Sequence, residues 1–324
     1  MSERNEWGPA RLRTTRDLTP DIRLFEIEPE RGFEPPTPGS HLPLLLTIHG
    51  RPDTRTYSVV GPCRDGVYRI AVKRLDDGRG GSTAMWGLAP GAMLTVAPPQ
   101  NRFELRHGQP RYTLVAGGIG ITPIYSMAMH LAEIGAPVRL LYAARRRADL
   151  AFADELRARL GDGLHVFLSE DGRRIDFAQV IDALEPGAEL YVCGPIGMME
   201  AAKRAWHDSG RPVADLRFET FGSGGHLPSL PFTVRIPHLG REVPVPVDLS
   251  MLEALEQAGI DVMSDCRRGE CGLCALTILS ADGPVDHRDV FFSDEEKAEN
   301  CKLCACVSRV AGGSITVETG GRLR

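Results

Sequence analysis

The chain has 324 residues and a formal net charge of −5, with 42% hydrophobic and 25% charged residues. That length exceeds one ordinary core and calls for two or three domains, while the balance is that of a soluble globular protein without the basic footprint of a nucleic-acid binder. The opening MSERNEWGPARLR holds no apolar signal-peptide core, and no run reaches the roughly 18 to 20 apolar residues of a membrane span, so a cytoplasmic chain with reduced thiols and no membrane partner is expected.

To about residue 108 the chain reads as short strands, DIRLFEIEP, HLPLLLTIHG, RTYSVVG, VYRIAVKRL and AMLTVAPP, split by Gly and Pro turns. This is the pattern of a small antiparallel β-barrel. GRGGST, Gly78 to Thr83, precedes the helix-like AMWGL, so a Gly-rich turn delivers backbone N–H groups and two hydroxyls to a helix start, which suits an anion. A second punctuation zone, VAPPQNRFELRHGQP, leads into alternating strands and helices: YTLVAGG, ITPIYSMAMHLAEIG, VRLLYAAR, LAFADELRARLG, LHVFLSE, DFAQVIDAL and ELYVCGP. That alternation predicts a doubly wound α/β sheet. AGGIGITPI follows a strand and opens a helix, and Gly117, Gly118 and Gly120 there would let a dinucleotide approach while Thr122 and the helix start take pyrophosphate. After the next strand stand Arg145, Arg146 and Arg147, where an acid would favour NAD and an arginine would hold a 2′-phosphate.

FGSGGHLPSLP, Phe221 to Pro231, has linker composition. Beyond it VPVPVD and SMLEALEQAG follow, the latter a helix capped by Ser250 and ended by Gly259. From Phe232 onward there are 10 Lys plus Arg against 15 Asp plus Glu, leaving 28 of each before it, so the excess negative charge sits in the last third. The cysteines sit there too. Cys266, Cys271 and Cys274 are spaced C-x4-C-x2-C with further cysteines downstream, the plant-type 2Fe-2S arrangement. Three thiolates from one loop can wrap a two-iron cluster when the backbone between them folds back on itself, a freedom that Gly269 and Gly272 supply. The rivals are buried inert thiols or a structural zinc site, which usually shows paired C-x2-C hooks; Cys301-x2-Cys304 offers a second one.

CRRGECGLC followed by GPVDHRDVFFSDEEKAENCKLCACVSR resembles the ferredoxin domain of the phthalate dioxygenase reductase family, proteins similar to ferredoxin-NADP reductases with a ferredoxin fused behind them. RTYS matches that family's R-x-Y-S flavin signature and YVCGPIGMM its C-G-P motif. The resemblance implies three domains: an FMN-binding antiparallel β-barrel at 1–108, an NAD(P)H-binding α/β domain at 109–224 and a β-grasp ferredoxin domain at 232–324. It also implies an FMN set of Arg55, Thr56, Tyr57, Ser58, Lys73, Gly80, Gly81, Ser82, Thr83 and Phe221. The implied nucleotide set is Gly117, Gly118, Gly120, Thr122, Pro123, Arg145, Cys193, Gly194 and Pro195, with no covalent role for Cys193. One compact phosphate site fits FMN better than FAD; NADH is implied, with NADPH left open by the arginines. The fourth cluster ligand is expected at Cys306, which directly precedes Val307-Ser308-Arg309, with Cys304 as runner-up.

The expected function is that of an oxygenase reductase component, an iron-sulfur flavoprotein passing electrons from NAD(P)H through FMN and a 2Fe-2S cluster to a separate Rieske non-haem iron oxygenase. A monomer is expected. A cytochrome P450 is the alternative acceptor. A redox-sensing or zinc-stabilised adaptor would leave RTYS, GGIGITPI and CGP as coincidences, and a free flavin or ferric reductase would leave the third domain superfluous.

Overall fold

The computed structural model describes residues 7–76, 78–221 and 224–320. They form two compact units, one built from residues before Thr220, the other from Thr220 onward with the short segment at 78–79.

The first unit opens with β1 (Gly8–Thr19), β2 (Ile22–Pro29), β3 (Ser40–Ile48), β4 (Arg51–Ser58) and β5 (Tyr68–Lys73), then α1 (Gly81–Trp86), β6 (Met93–Val96) and β7 (Gln100–Asn101). The strands pair antiparallel in the order β4-β3-β6-β1-β2-β5, with β7 on β3. A bridge from Val59 to Ile70 brings the chain just past β4 onto β5, so the outer strands meet and the sheet closes into the expected barrel. The period of two explains what fills it: along β3, Leu42, Leu44, Leu46 and Ile48 are buried while Leu45 and Thr47 face out. These leucines pack with Leu12, Phe25, Ile27, Tyr68 and Ile70 as one core.

The same unit continues with β8 (Tyr112–Gly117), α2 (Ile121–Glu133), β9 (Val138–Ala144), α3 (Ala153–Leu160), β10 (Leu164–Leu168), α4 (Phe177–Asp182), β11 (Leu190–Cys193), α5 (Ile196–Asp208) and β12 (Leu216–Glu219). All five strands are parallel in the order β10-β9-β8-β11-β12. Every residue of the central strand β8 is buried, as a strand covered on both faces requires. Because β9 and β11 flank β8, the chain switches direction at β8, and the crevice above its carboxyl end is where a doubly wound sheet takes a nucleotide. Ser126 of α2 fastens this sheet to the barrel, its hydroxyl donating to Val59 O (2.6 Å) and accepting from Gly61 N (2.9 Å).

The second unit contains β13 (Phe232–Ile236), β14 (Arg241–Val245), α6 (Met251–Gln257), β15 (Ala275–Ala281), β16 (Val285–Asp286), α7 (Asp294–Glu299), β17 (Lys302–Cys304), β18 (Arg309–Val310) and β19 (Ser314–Glu318). Its mixed sheet runs β14-β13-β19-β15-β17, with β13 and β19 parallel and the other pairs antiparallel; α6 packs against it in the β-grasp manner. Ser250 caps α6 as expected, its hydroxyl accepting from Glu253 N (3.1 Å) while the Glu253 carboxylate accepts from Ser250 N (2.7 Å).

The Gly-Ser-Pro stretch is not a free linker where it is described. His226 N donates to Asp286 Oδ1 (3.0 Å), Arg288 Nη2 to Leu227 O (3.2 Å) and Ser229 Oγ (3.1 Å), and Arg309 Nη2 to Leu230 O (3.2 Å). Two buried guanidiniums need acceptors, and a segment outside any sheet has carbonyls to offer. Among the described residues no helix is long and apolar enough to cross a membrane.

Candidate functional site

On β4 the side chains alternate. Asp53, Arg55 and Tyr57 share one half-buried face, while Thr54 and Thr56 lie exposed on the other, so Thr56 can serve a flavin on the Tyr57 face only through its backbone. Ser58, at the end of the strand, is buried. Burial pushes the Tyr57 hydroxyl far above its ordinary pKa, so it stays protonated. Arg55 pairs with Asp53 and donates to Thr54 O (3.1 Å).

Arg55 also runs along the start of α1: a Cβ on Gly81 would fall 2.9 to 3.1 Å from its Nε, Cγ and Cδ. Gly80 has φ +77°, and a Cβ there would meet Ile48 Cγ2 at 2.7 Å. Glycines are therefore needed to bring this turn against β3 and β4. No side chain caps α1, so a guanidinium lies beside uncapped backbone N–H groups. That donor set fits a phosphate. Ser82 is committed to the turn, its hydroxyl accepting from Leu75 N (3.1 Å), and Lys73 is paired with Asp21 (3.1 Å), whereas Thr83 is exposed.

In the crevice above β8 two of the glycines have a role that spacing alone did not reveal. A Cβ on Gly120 would fall 2.2 Å from Cys193 O, and one on Gly117 would fall 2.7 Å from both Met198 Cε and Pro195 Cδ. The Gly194 position would meet Met198 Sδ at 2.6 Å. These three glycines let the β8 and β11 turns pack on each other, with Met198 filling the gap. Gly118, φ +54°, faces open space. Thr122 closes the turn by donating to Ile119 O (3.0 Å), and Pro123 is buried in the first turn of α2. Cys193 is fully buried, and Pro195 starts α5.

At the end of β9, Arg146 makes a two-point pair with Asp149 (2.8 and 3.2 Å) and holds its carboxyl below the usual range. Arg147 N donates to Glu170 Oε1 (2.8 Å). The nearby acids are thus engaged, and Arg145 extends from the strand end as an exposed cation.

In the second unit, positive φ at Arg267 (52°), Gly269 (75°) and Gly272 (72°) folds the cysteine loop back on itself. A Cβ on Gly269 would sit 2.7 Å from Val307 Cγ2, and one on Gly272 2.3 to 2.5 Å from the Phe291 ring. Backbone N–H groups point at sulfur: Arg268 N and Glu270 N both donate to Cys266 Sγ (3.4 Å each). Thr220 braces this loop, its N–H donating to Glu270 Oε1 (2.7 Å) and its hydroxyl to Arg268 O (2.9 Å). Phe221, the next residue, belongs to this unit, beyond the end of β12.

Cys274, Cys304 and Cys306 are all buried, and the free Cys274 thiol lies within hydrogen-bonding reach of the other two. Hydrogen bonds from Cys304 and Cys306 pull Cys274 down to about 3, while the same bonds and burial push the two donors up. Cys306 lies where it senses both Cys274 and Cys266 and receives the Gly269 N–H, whereas Cys304 senses Asp289, Cys274 and Cys306. Among the described residues no three His, Cys, Asp or Glu side chains are gathered as ligands to one metal ion. The donor set, four thiols with amides aimed at them, fits a 2Fe-2S cluster.

Two family descriptions match the chain: a 2Fe-2S iron-sulfur cluster binding domain over residues 234–311, and the N-terminal domain of a dimethylamine monooxygenase subunit DmmA-like protein over 93–216. Phenoxybenzoate dioxygenase subunit beta from Ectopseudomonas oleovorans is 36% identical over 92% of this chain and 93% of its own. Heme-dependent oxidative N-demethylase beta subunit from Ectopseudomonas mendocina (strain ymp) is 37% identical over 95% and 97%. A solved phthalate dioxygenase reductase, titled as a modular structure for electron transfer from pyridine nucleotides to 2Fe-2S, superposes with a TM-score of 0.75 at 30% identity over 96% of this chain and 98% of its own. The chain belongs to the phthalate dioxygenase reductase family. It is an iron-sulfur flavoprotein oxidoreductase of the NAD(P)H-dependent type, a reductase component of a multicomponent oxygenase. Its fold is the family's: antiparallel barrel, parallel nucleotide-binding sheet and ferredoxin domain.

Spacing could not single out Met198, Asp149, Glu270 or Phe291 as parts of these sites. Asp289 lay in view within the HRD stretch, but its fully buried carboxylate, accepting from Phe292 N (2.9 Å), is a matter of packing.

Proposed function

We propose that this family member takes hydride from NADH at the β8–β11 crevice and delivers single electrons, by way of FMN and a 2Fe-2S cluster, to a separate Rieske non-haem iron oxygenase. The cysteine loop carries the reading, because a free flavin reductase has no use for amide-directed thiols in a third domain. When bound, the flavin would take the electron pair of one hydride and release it as single electrons, and the cluster would hand them on one at a time. In this reading Arg55 and the N–H groups at Gly81 to Thr83 hold the FMN phosphate, Tyr57 and Ser58 line the ring, and Lys73 completes the pocket. Gly118 and the start of α2 receive the pyrophosphate, with Cys193, Gly194 and Pro195 beside the nicotinamide. Cys266, Cys271, Cys274 and Cys306 hold the cluster. In this reading the domains span 1–108, 109–224 and 232–324, with Thr220 and Phe221, near the end of the second, belonging to the same compact unit as the third, and the protein is a cytoplasmic monomer with no membrane or nucleic-acid partner. An absorption spectrum of the purified protein tests the reading. Flavin bands over a broad sulfide-to-iron envelope, both bleached by NADH, are expected; a colourless zinc protein would refute it.

A haem oxygenase is the second reading for the acceptor, favoured by the heme-dependent oxidative N-demethylase beta subunit among the relatives. The nucleotide choice turns on Arg145. It is exposed where a 2′-phosphate would lie, with Asp149 occupied by Arg146. A charge-assisted hydrogen bond contributes roughly 1.5–3 kcal/mol, so Arg145→Ala should lower kcat/KM for NADPH about tenfold or more. The value for NADH should stay within about twofold, since NADH has no group for this cation. Equal losses with both nucleotides would show that Arg145 contacts a part they share.

A further inference from the structure

The second unit leaves large apolar side chains in the open at its cysteine loop. Phe291 is 46% exposed and Leu273 47% exposed. Leu273 and Gly272 are the two residues between Cys271 and Cys274, and the Phe291 ring lies directly on Gly272. The ring is braced by the neighbouring Phe292, edge-on at 5.0 Å between centroids, a core residue anchored through its N–H to Asp289. Phe291 is thus a fixed aromatic platform over the cysteine loop, with few rotamers left to lose on binding.

An exposed leucine or phenylalanine alone means little. Here the setting adds charge. Three residues beyond Phe291, α7 begins with Asp294, Glu295 and Glu296, all exposed. Glu296 also closes the capping box with Ser293 (2.8 Å to its N–H), and Asp294 and Glu295 are exposed beside it in the same first turn. The chain from Phe232 onward carries five more acids than bases. The cysteine loop also carries Arg267 and Arg268, but these are paired with Glu256 and Glu270; an apolar centre beside a net-acidic edge has the anatomy of a specific, transient interface, and its charge selects a partner of the opposite sign.

We propose that Phe291 and Leu273 form the apolar centre, and Asp294 and Glu295 the acidic edge, of the surface on which the oxygenase component docks to accept an electron, its own contact face being apolar and ringed by Lys or Arg. This rests on the proposed function and adds where the electron leaves. One electron passes per encounter, oxidising the reduced cluster and reducing the acceptor's metal centre, with no bond made or broken.

The test uses the holoprotein and cytochrome c, a basic haem protein, as one-electron acceptor, with second-order rates measured by stopped flow at several ionic strengths. The wild-type rate should fall as salt rises. Asp294→Lys with Glu295→Lys should lower the low-salt rate roughly tenfold and flatten the salt dependence. Leu273→Ser should lower the rate at every ionic strength; it is chosen over Phe291 because Phe291 also supports Gly272. Ferricyanide turnover and the reduced-cluster EPR signal should be unchanged in both. A charge reversal or a Leu273→Ser without effect on cytochrome c would overturn the docking surface, with the electron-transfer reading intact. Absence of the cluster signal or of NADH oxidation in the wild type would overturn that reading instead.

Discussion

In a Cys271→Ala protein, NADH-driven reduction of ferricyanide is expected to stay within about twofold of wild type while reduction of a one-electron protein acceptor falls about tenfold or more. The β4–α1 cradle and the β8–β11 crevice both lie in the first compact unit, and Cys271 lies in the second. Changes at separate sites without shared partners act independently. Ferricyanide can take electrons from the flavin and has no need of the ferredoxin domain. Cys271 is only half-buried, so the loss of its thiol removes a proposed ligand without opening a core cavity. Circular dichroism and the thermal transition establish that the variant is folded. Loss of both activities in a folded protein would mean that the flavin cannot turn over without the cluster, and the division of labour proposed here would fail.

What could be read in advance was whatever sits close together in the chain. C-x4-C-x2-C, RTYS and GGIGITPI each span fewer than ten residues, and each turns up on the loop or strand end that its spacing required. Position was legible; purpose was less so. Gly117 and Gly120 read as room for a dinucleotide, yet their missing Cβ atoms make room for Met198 and the Cys193 carbonyl, some 70 to 80 residues onward. No local pattern encodes that approach.

The segment after Phe221 shows the same limit from the other side. Gly, Ser and Pro lack the apolar anchors that mark a packed element, so composition says linker. Composition cannot register that Arg288 and Arg309, 60 to 80 residues later, are buried and seek carbonyls. Arg309 takes three, from Leu249 (2.6 Å), Pro246 (2.9 Å) and Leu230 (3.2 Å), and burial with the nearby Arg288 lowers it to about 10. A cation bound that way holds the strap as much as the strap satisfies the cation.

The fourth thiol is where sequence and structure bear on one choice, and the expected result is that Cys306→Ser loses or alters the cluster while Cys304→Ser keeps it. Count alone leans the other way, since the separation of Cys274 from Cys304 matches a simple plant-type ferredoxin better than its separation from Cys306. Geometry distinguishes them. Cys304 sits in β17 opposite Ala275, so its direction is fixed by the sheet, where a one-residue slip would turn it to the other face. Its thiol lies near the fully buried Asp289 carboxylate, a poor neighbour for a thiolate because like charges in a low-dielectric site raise each other's cost. Cys306 lies past the strand end, in the turn where Ser308 N donates back to Cys304 O (2.9 Å). There it receives the Gly269 N–H and senses Cys266 as well as Cys274, which places it against both ends of the loop that must wrap the cluster. The Gly269 amide offsets part of the cost that the Cys274 thiol and burial place on a Cys306 thiolate, whereas the Asp289 carboxylate adds to that cost at Cys304. Each single Ser variant is to be scored by iron per chain and by the reduced-cluster EPR spectrum, with Cys301→Ser as the exposed control. A normal signal in Cys306→Ser beside a lost one in Cys304→Ser would transfer the ligand to Cys304 and require the 304–308 turn to reopen when iron binds.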